Sequence, residues 1–394
     1  MKLCICGVLA ITAFAVSCLL DSTQSLAQNA YITNSSSNSL SVIDTEKNKV
    51  TATIVGAFFS PYGVTVSPDS RDGSKVYVTN STASAGKSNV SVIDTATNKV
   101  IANIPVGSEP VGAAVSRDGS KAYVANANSA TVSVIDTATN TVIATIPVGV
   151  GPYGVAVGPD GSKVYVTNTL LNSTGPRGTV SVIDTAKNTV TATILVDGFP
   201  TGVAVTPNGR KVYVANQSSA TVSVIDTAAN TVTATIPVGN VPNGVAVTPD
   251  GRKIYVANVN SDSVSVIDTA RNKVTATIPV GTFRGPNGVA VTPDGRKVYV
   301  TNFRSNNVSV IDTAKNKVTA TIPVGLNPNA FGMFIHPARE REPRFAGKPG
   351  TANCHGRSVA ALAQQYGRLN AAATTLGYSD ESELQNAIRT FCRE

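Results

Sequence analysis

Four short runs of β-branched and small apolar residues recur along the chain, separated by polar turns. In the unit from Pro242 to Gly281 the runs are GVAV, KIYVAN, SVSVID and KVTATI. Val, Ile, Tyr and Thr fit a pleated, half-buried surface, so each run predicts a β-strand. The turn Pro249-Asp250-Gly251 and the loop from Asp268 to Asn272 are short enough to favour antiparallel hairpins. The unit therefore predicts a four-stranded antiparallel sheet.

The first and fourth runs differ in polarity. GVAV is apolar on both faces, whereas KVTATI alternates apolar residues with threonine. A sheet whose first strand is buried and whose fourth strand is half exposed is typical of a propeller blade, with the first strand at the axis. The Lys before the fourth run and the Pro after it would keep this outer edge from pairing with other chains.

The unit is repeated seven times, and its shortest spacing, from Asp184 to Asp226, is 42 residues. The repeated aspartates of the SVIDT motif are Asp44, Asp94, Asp136, Asp184, Asp226, Asp268 and Asp312. The repeated tyrosines are Tyr31, Tyr77, Tyr123, Tyr165, Tyr213, Tyr255 and Tyr299. A repeat of this length with four strands suits a propeller blade. It is too long for one coil of a β-helix. We expect each of these aspartates to cap the turn that follows it.

The motifs YITN, YVTN and YVAN, each followed by SVIDT, resemble the YVTN β-propeller repeat family over about 300 residues. The resemblance implies a seven-bladed fold on an extracytoplasmic protein, including proteins of the surface-layer type. It also implies similarity in fold to lactonase-like propellers, which hold a divalent metal in the axial funnel with acidic and amide side chains. A fold alone implies no reaction.

The chain enters the repeat at Tyr31, in the middle of a blade that lacks its own first strand. Residues 331–337, FGMFIHP, align with residues 287–293, NGVAVTP. We therefore expect the C-terminal strand to pair beside YITN and to close the ring, because closure removes two open sheet edges. The predicted fold is all-β: a seven-bladed β-propeller over residues 28–337.

The N-terminus is typical of an export signal. Lys2 precedes an apolar stretch at residues 3–20, and Ser25-Leu26-Ala27 fits a cleavage site. We expect cleavage after Ala27, a periplasmic or secreted location and no membrane span afterwards. A retained membrane anchor and a lipoprotein attached at Cys18 are the alternatives.

Past the propeller, residues 338–353 are rich in charge, Pro and Gly and indicate a linker. Residues 354–394 change to helical spacing, with Leu384, Ala387, Ile388 and Phe391 on one face. We expect a small helical tail closed by a disulfide between Cys354 and Cys392, because these two cysteines remain after signal cleavage in an oxidising compartment. A thiol–metal site at Cys354 and His355 is the alternative.

Strand order places the loops between the second and third strands, and the blade-to-blade connections, on one face. We call it the connection face; the other is the turn face. The repeats differ most on the connection face, where a funnel over the axis is the usual binding site of a propeller. Loops also vary without function. The candidate ligand-binding residues are Tyr62, Glu109, Tyr153, Asp197, Thr201, Asn243, Asn287 and Phe331.

Catalytic and cofactor chemistry finds little support in the composition. The chain has two His and no Trp, and its propeller repeats lack a His cluster for zinc or general-base work. The connection face offers only a few acids, and amides alone bind cations weakly. We expect no catalytic residue, no metal and no cofactor.

Three functions remain open. The first is a non-catalytic extracytoplasmic scaffold, a monomer that binds a protein or an envelope ligand. The second is a metal-dependent lactonase-like or dehydrogenase-like enzyme with an axial site. The third is a binder of nucleic acid or another polyanion, because the formal net charge is +8. The turn-face lysines for this third function are Lys75, Lys121, Lys163, Lys211, Lys253 and Lys297.

Overall fold

The computed structural model describes residues 28–67, 75–81, 88–170, 178–335, 359, 362 and 381–393. Within them, seven antiparallel sheets follow one another around an axis, and consecutive innermost strands pack side by side. This confirms the predicted seven-bladed propeller. The export signal, the linker and Cys354 lie outside the described residues, and so does the side chain of Cys392. The predictions made for these segments therefore remain predictions.

Each blade is numbered from its innermost strand outward, and blade 1 takes its innermost strand from the C-terminal side. Blade 1 contains β1 (Asn29–Asn34), β2 (Ser39–Asp44) and β3 (Lys49–Val55). Blade 2 contains β4 (Pro61–Val66), β5 (Lys75–Asn80), β6 (Asn89–Asp94) and β7 (Lys99–Pro105). Blade 3 contains β8 (Pro110–Val115), β9 (Lys121–Asn126), β10 (Thr131–Asp136) and β11 (Thr141–Pro147). Blade 4 contains β12 (Val150–Val157), β13 (Lys163–Leu170), β14 (Thr179–Asp184) and β15 (Thr189–Leu195).

The remaining blades repeat this order. Blade 5 contains β16 (Pro200–Val205), β17 (Lys211–Asn216), β18 (Thr221–Asp226) and β19 (Thr231–Pro237). Blade 6 contains β20 (Pro242–Val247), β21 (Lys253–Asn258), β22 (Ser263–Asp268) and β23 (Lys273–Pro279). Blade 7 contains β24 (Pro286–Val291), β25 (Lys297–Asn302), β26 (Asn307–Asp312) and β27 (Lys317–Pro323).

The core lies between neighbouring blades. The cluster between blades 6 and 7 joins Tyr255 and Val264 of one sheet to Val289 and Val298 of the next, and all four are buried. The outer strands alternate between exposed and half-buried residues, as KVTATI predicts. Because each blade packs against the next, the core consists of separate clusters between neighbouring blades, and no single blade has a complete core of its own.

The SVIDT aspartates cap their turns, as predicted. The Asp226 carboxylate, for example, accepts hydrogen bonds from the backbone N–H groups of Ala228 and Ala229 at 2.9 and 2.8 Å. The turn ends at Asn230, which has a φ of 53°. Asn tolerates this left-handed conformation better than most residues, which explains why the loop retains it.

The C-terminal segment completes blade 1, which confirms the predicted closure. It pairs antiparallel with β1 through the bridges Asn34–Pro328 and Ala30–Ile335. It also bonds to the next blade, because the N–H groups of Val64 and Val66 donate to the carbonyls of Phe331 and Met333, both at 3.0 Å. The closing strand therefore joins blades 1 and 2 as well as the two ends of the propeller chain.

The first part of the closing strand differs from the alignment made on sequence, because it contains two inserted residues. The bridge from Pro328 to Asn34 matches the pairing of Pro286 with Asn302, so Asn329 takes the place of Asn287 and Ala330 that of Gly288. Phe331, which was expected in that place, lies in a two-residue insertion with Gly332. The sequence alignment is correct again at Ile335. The motif that follows the insertion therefore aligned well and gave no sign of it.

The tail contributes one described helix, α1 (Glu381–Arg393). Leu384 and Ile388, which share its predicted apolar face, are fully buried. No helix among the described residues has the length and apolar character needed to cross a membrane.

Candidate functional site

The innermost strands of blades 2 to 7 each contain Pro, a variable residue and Gly at or near their start, and this triplet forms a β-bulge. In blade 2 the pairing moves from Pro61–Asn80 to Val64–Val78, which leaves one extra residue on β4. The same shift occurs in the innermost strands of blades 3 to 7. A bulge bends its strand and redirects a side chain, so it explains how the variable residue leaves the sheet and turns toward the axis.

Three aromatic side chains meet at the axis on the connection face. The ring of Tyr153 lies 5.0 Å from that of Phe331 and 6.0 Å from that of Tyr62, both edge to face. Tyr62 and Phe331 lie 6.2 Å apart, and the two tyrosine hydroxyls are in hydrogen-bond contact. Phe331 is buried, whereas Tyr62 and Tyr153 are half buried. The two tyrosines therefore form the boundary between the cluster and solvent.

Three amides lie beside these rings. The Asn243 side-chain N–H donates to the side-chain oxygen of Asn287, and Asn287 in turn donates to that of Asn329 at 2.7 Å. All three residues are buried. We call these three amides the amide row, and the row with Tyr62, Tyr153 and Phe331 the axial cluster. Five of the seven blades, blades 1, 2, 4, 6 and 7, thus supply a residue to the axial cluster.

Burial dominates the electrostatics of the cluster. It raises the pKa of the Tyr62 hydroxyl, although contacts with Tyr153, Asn287 and Asn243 oppose the rise. Burial also raises the pKa of Tyr153 well above its usual value, and the nearby Tyr62 and Glu109 add to the effect. Both hydroxyls are therefore neutral at pH 7, so the cluster offers hydrogen bonds and apolar surface without a general base.

The other predicted funnel residues do not join the cluster. Thr201 is fully buried, and its hydroxyl turns to the backbone carbonyls of Pro242 and Asn243 at 3.2 and 3.3 Å. The Asp197 carboxylate accepts a hydrogen bond from the Thr221 hydroxyl at 3.1 Å. Asn329 occupies the place that the sequence alignment gave to Phe331, because two residues are inserted after Ala330.

The described part of the connection face does not offer the ligands of a divalent metal site. Among the described residues no three His, Cys, Asp or Glu side chains gather. The carboxylate of Asp262 caps backbone N–H groups, that of Asp197 bonds to Thr221, and Glu109 lies on a different connection. A lactonase-like site needs acidic oxygens close to the amides. The axial cluster has amides without them, so it does not fit a metal.

Asp262 receives three backbone N–H groups, from Phe283, Arg284 and Gly285, at 2.8, 2.8 and 2.9 Å. Burial raises the pKa of this carboxyl, but these donors outweigh it and the pKa is lowered overall. A depressed pKa means that the charged form stabilises the fold above the unfolded pKa, and that this contribution is lost as pH falls through the folded pKa.

We therefore expect Asp262→Ala to reduce the free energy of unfolding at pH 7 by about 1–3 kcal/mol, because three hydrogen bonds to a charged carboxylate are lost. Part of the difference should disappear as the pH falls below the unfolded pKa and through the lowered folded pKa, where the carboxylate becomes protonated. Urea unfolding of both proteins at several pH values measures it. A difference that stays constant from pH 7 to pH 2 would show that the charge of Asp262 contributes nothing.

The residue before each bulge proline is held in the left-handed region in all seven blades. The residues and their φ angles are Ser60 (47°), Glu109 (55°), Gly151 (64°), Phe199 (54°), Val241 (56°), Gly285 (59°) and Asn327 (53°). Main-chain hydrogen bonds fix this turn, such as that from the Val259 N–H to the Val241 carbonyl at 2.9 Å. Gly and Asn accept the conformation easily, whereas the β-branched Val241 is strained there.

Val241→Asn is therefore expected to stabilise the protein by about 1 kcal/mol, because it relieves this strain. Asn327 shows that Asn fits the equivalent turn. The matched control, Gly151→Val, places the strained residue type in another blade and should destabilise by a similar amount. Urea unfolding measures both. An unchanged or lower stability of Val241→Asn would contradict strain at this position.

The six turn-face lysines are used within the fold. Each ammonium donates to the backbone carbonyl of the SVIDT threonine in the next blade, for example Lys163 to Thr227 at 3.0 Å and Lys253 to Thr313 at 3.0 Å. The equivalent bonds of the other lysines are Lys75 to Thr137, Lys121 to Thr185, Lys211 to Thr269 and Lys297 to Thr45. All six side chains are half buried. These hydrogen bonds link consecutive blades, so each ammonium group has fewer free N–H donors for a polyanion.

Two family models match parts of the chain. The model described as SMP-30/Gluconolactonase/LRE-like region matches residues 87–281, and that of a YNCE-like beta-propeller matches residues 248–339. Each covers less than half of the chain. Curated proteins give no match.

Three solved structures share the fold. A Kuenenia stuttgartiensis hydrazine synthase chain is 27% identical, with a TM-score of 0.63 over 72% of this chain and 92% of that one. A functionally unknown protein from Desulfotomaculum acetoxidans DSM 771 is 18% identical, with a TM-score of 0.64 over 79% and 100%. The dihydro-heme d1 dehydrogenase NirN in complex with DHE is 17% identical, with a TM-score of 0.53 over 76% and 74%. The last two likenesses concern the fold alone.

Proposed function

We propose that this protein is a non-catalytic, extracytoplasmic binding propeller whose connection face takes a peptide segment of a partner protein. The observation that carries the proposal is the convergence of variable residues from different blades on one axial cluster. Packing imposes near identity elsewhere in the blades, so variation at one structurally equivalent place supports selection for contact with a ligand.

The surroundings of the cluster favour a protein partner. Five large apolar side chains are exposed on the blade-to-blade connections: Phe59, Val150, Phe199, Phe283 and Leu326. Phe283 is 82% exposed. These residues lie on five separate connections of the same face, and exposed aromatic side chains contribute most to contacts between proteins. The apolar stretch at residues 3–20 supports export before binding.

The alternative of a lactonase-like enzyme draws on the family model that matches residues 87–281. The donor set of the connection face argues against it, because the amides lack the acids that a divalent cation needs. The alternative of a polyanion binder is disfavoured by the internal hydrogen bonds of the turn-face lysines.

The proposal is tested with a displayed library of random peptides selected on the intact protein. We expect enriched peptides with apolar side chains, whose affinity falls at least tenfold in Tyr153→Ala, or by about 1.4 kcal/mol. Lys163→Ala on the turn face is the matched control and should bind as the parent does. Selection of no peptide, or equal loss in both variants, would contradict the proposal.

A further inference from the structure

The amide row ends in a polar group without a partner. Asn243, Asn287 and Asn329 come from three consecutive blades, and their side chains are linked in one direction. Asn243 is 5% exposed, and its side-chain oxygen is fully buried with no hydrogen bond. An unmade hydrogen bond of this kind costs about 1–3 kcal/mol, so a binding partner for this oxygen would recover free energy.

The protein does not continue the row on the side of Asn243. The next blade places Thr201 there, and the Thr201 hydroxyl donates to backbone carbonyls instead. The two tyrosines at the solvent boundary bring neutral hydroxyls and ring surface close to the same end of the row, because Asn243 and Asn287 both contact the Tyr62 hydroxyl. The Asn243 end of the row thus lies beside the two tyrosines at the solvent boundary.

The chemistry of the row limits the ligand. A row of amides can hydrogen bond in either direction, and in both directions the Asn243 end retains one unpaired group, an acceptor in one case and a donor in the other. A carboxamide carries both an N–H donor and a carbonyl acceptor, so it satisfies either arrangement. Phe331 and the tyrosine rings supply apolar surface for the methylene groups that carry it.

Charge argues for a neutral ligand. Arg284 and Arg304 are the cationic residues on the described part of the connection face, and they donate to Asn307 and Asn260. A carboxylate bound at the row would lose hydration without gaining a cation, which is unfavourable in a buried site. Glu109 lies near enough to raise the pKa of Tyr153, but it is not part of the axial cluster, so a protonated amine bound at Asn243 would have no carboxylate partner within the cluster.

From these contacts we infer that the axial cluster binds an uncharged carboxamide, a Gln or Asn side chain of the partner peptide, which continues the amide row at Asn243. This inference rests on the proposed function, because it names the chemical group that the same site recognises. The two tyrosines lie at the solvent boundary of the site, and the amide row selects the carboxamide by hydrogen bonding.

The test uses the full chain and two small probes, N-acetylglutamine N-methylamide and N-acetylglutamate N-methylamide, at pH 7, so that only the glutamine probe carries a primary carboxamide. Ligand-observed NMR gives the affinity of each. We expect saturable binding of the first probe and at least tenfold weaker binding of the second. Asn243→Leu, which keeps the branched shape and the number of heavy atoms but removes the amide, should weaken binding at least tenfold. Asn307→Ala, an amide on the same face outside the row, should retain binding. The melting temperature of each variant verifies that it folds.

Equal binding of the two probes, no binding of the glutamine probe, or unchanged binding by folded Asn243→Leu would each overturn the inference. These results are separable from failure of the proposed function. A library peptide that loses affinity in Tyr153→Ala but keeps it in Asn243→Leu would preserve the binding face and reject the carboxamide.

Discussion

A chain that ends at Leu326 is expected to aggregate and to lose its cooperative unfolding transition. The missing segment supplies the innermost strand of blade 1, and its carbonyl and N–H groups bond to both neighbours. Examples are the bond from Tyr31 N–H to the Phe334 carbonyl at 2.8 Å and that from Asn329 N–H to the Thr33 carbonyl at 2.9 Å. Without it, two sheet edges are open and can pair with other chains.

The matched control ends at Pro337 and keeps the whole closing strand. It should remain monomeric and unfold in one transition. Size-exclusion chromatography and thermal unfolding by circular dichroism distinguish the two chains. A monomeric chain ending at Leu326 with a cooperative transition would show that the ring does not depend on this closure.

Gly154→Ala is expected to destabilise the propeller by about 3 kcal/mol or more, because the added methyl group meets backbone that cannot move independently. An ideal Cβ at Gly154 would lie 2.3 Å from the Thr201 carbonyl oxygen of the next blade. The innermost strands approach so closely there that relief requires the spacing of the blades to change. Urea unfolding gives the loss, and a shift in the Tyr153 environment would accompany it.

Gly161→Ala is the matched control within the same blade. Gly161 has a φ of 71° and nothing within 4 Å of an added Cβ, so its cost is conformational strain alone. We expect about 1–2 kcal/mol. If the two substitutions have equal effects, the close approach of the blades is not what requires glycine at position 154.

The architecture could be predicted because each blade repeats the same short sequence motifs. SVIDT gives a capped turn, KVTATI gives an outer strand, and the unpaired YITN requires a partner strand from elsewhere in the chain. These are short-range preferences confirmed seven times over. The place of Phe331 could not be predicted, because the two-residue insertion lies between motifs that align well on either side and only strand register reveals it.

The candidate site was predictable in part, since the variable residue of each bulge was visible in the sequence. Which of these residues meet depends on side-chain length across the axis. Tyr62 and Tyr153 reach each other from separate blades, whereas the short Thr201 side chain donates to backbone carbonyls of the next blade. The role of the turn-face lysines was also hidden, because their carbonyl partners lie in the next blade. The left-handed turn before each bulge carries no sequence signature where Phe199 and Val241 occupy it.

The central claim is that the protein binds its ligand without a metal and without catalysing a reaction. It is tested most directly by assaying the purified protein on a panel of sugar and acyl lactones. The assay is repeated with added Ca²⁺, Mn²⁺ or Zn²⁺ and after EDTA treatment, and the melting temperature is recorded in each condition. The account predicts no turnover and a melting temperature that neither added metal nor EDTA changes. Lactone hydrolysis that depends on a divalent ion, together with a metal-dependent rise in melting temperature, would contradict it.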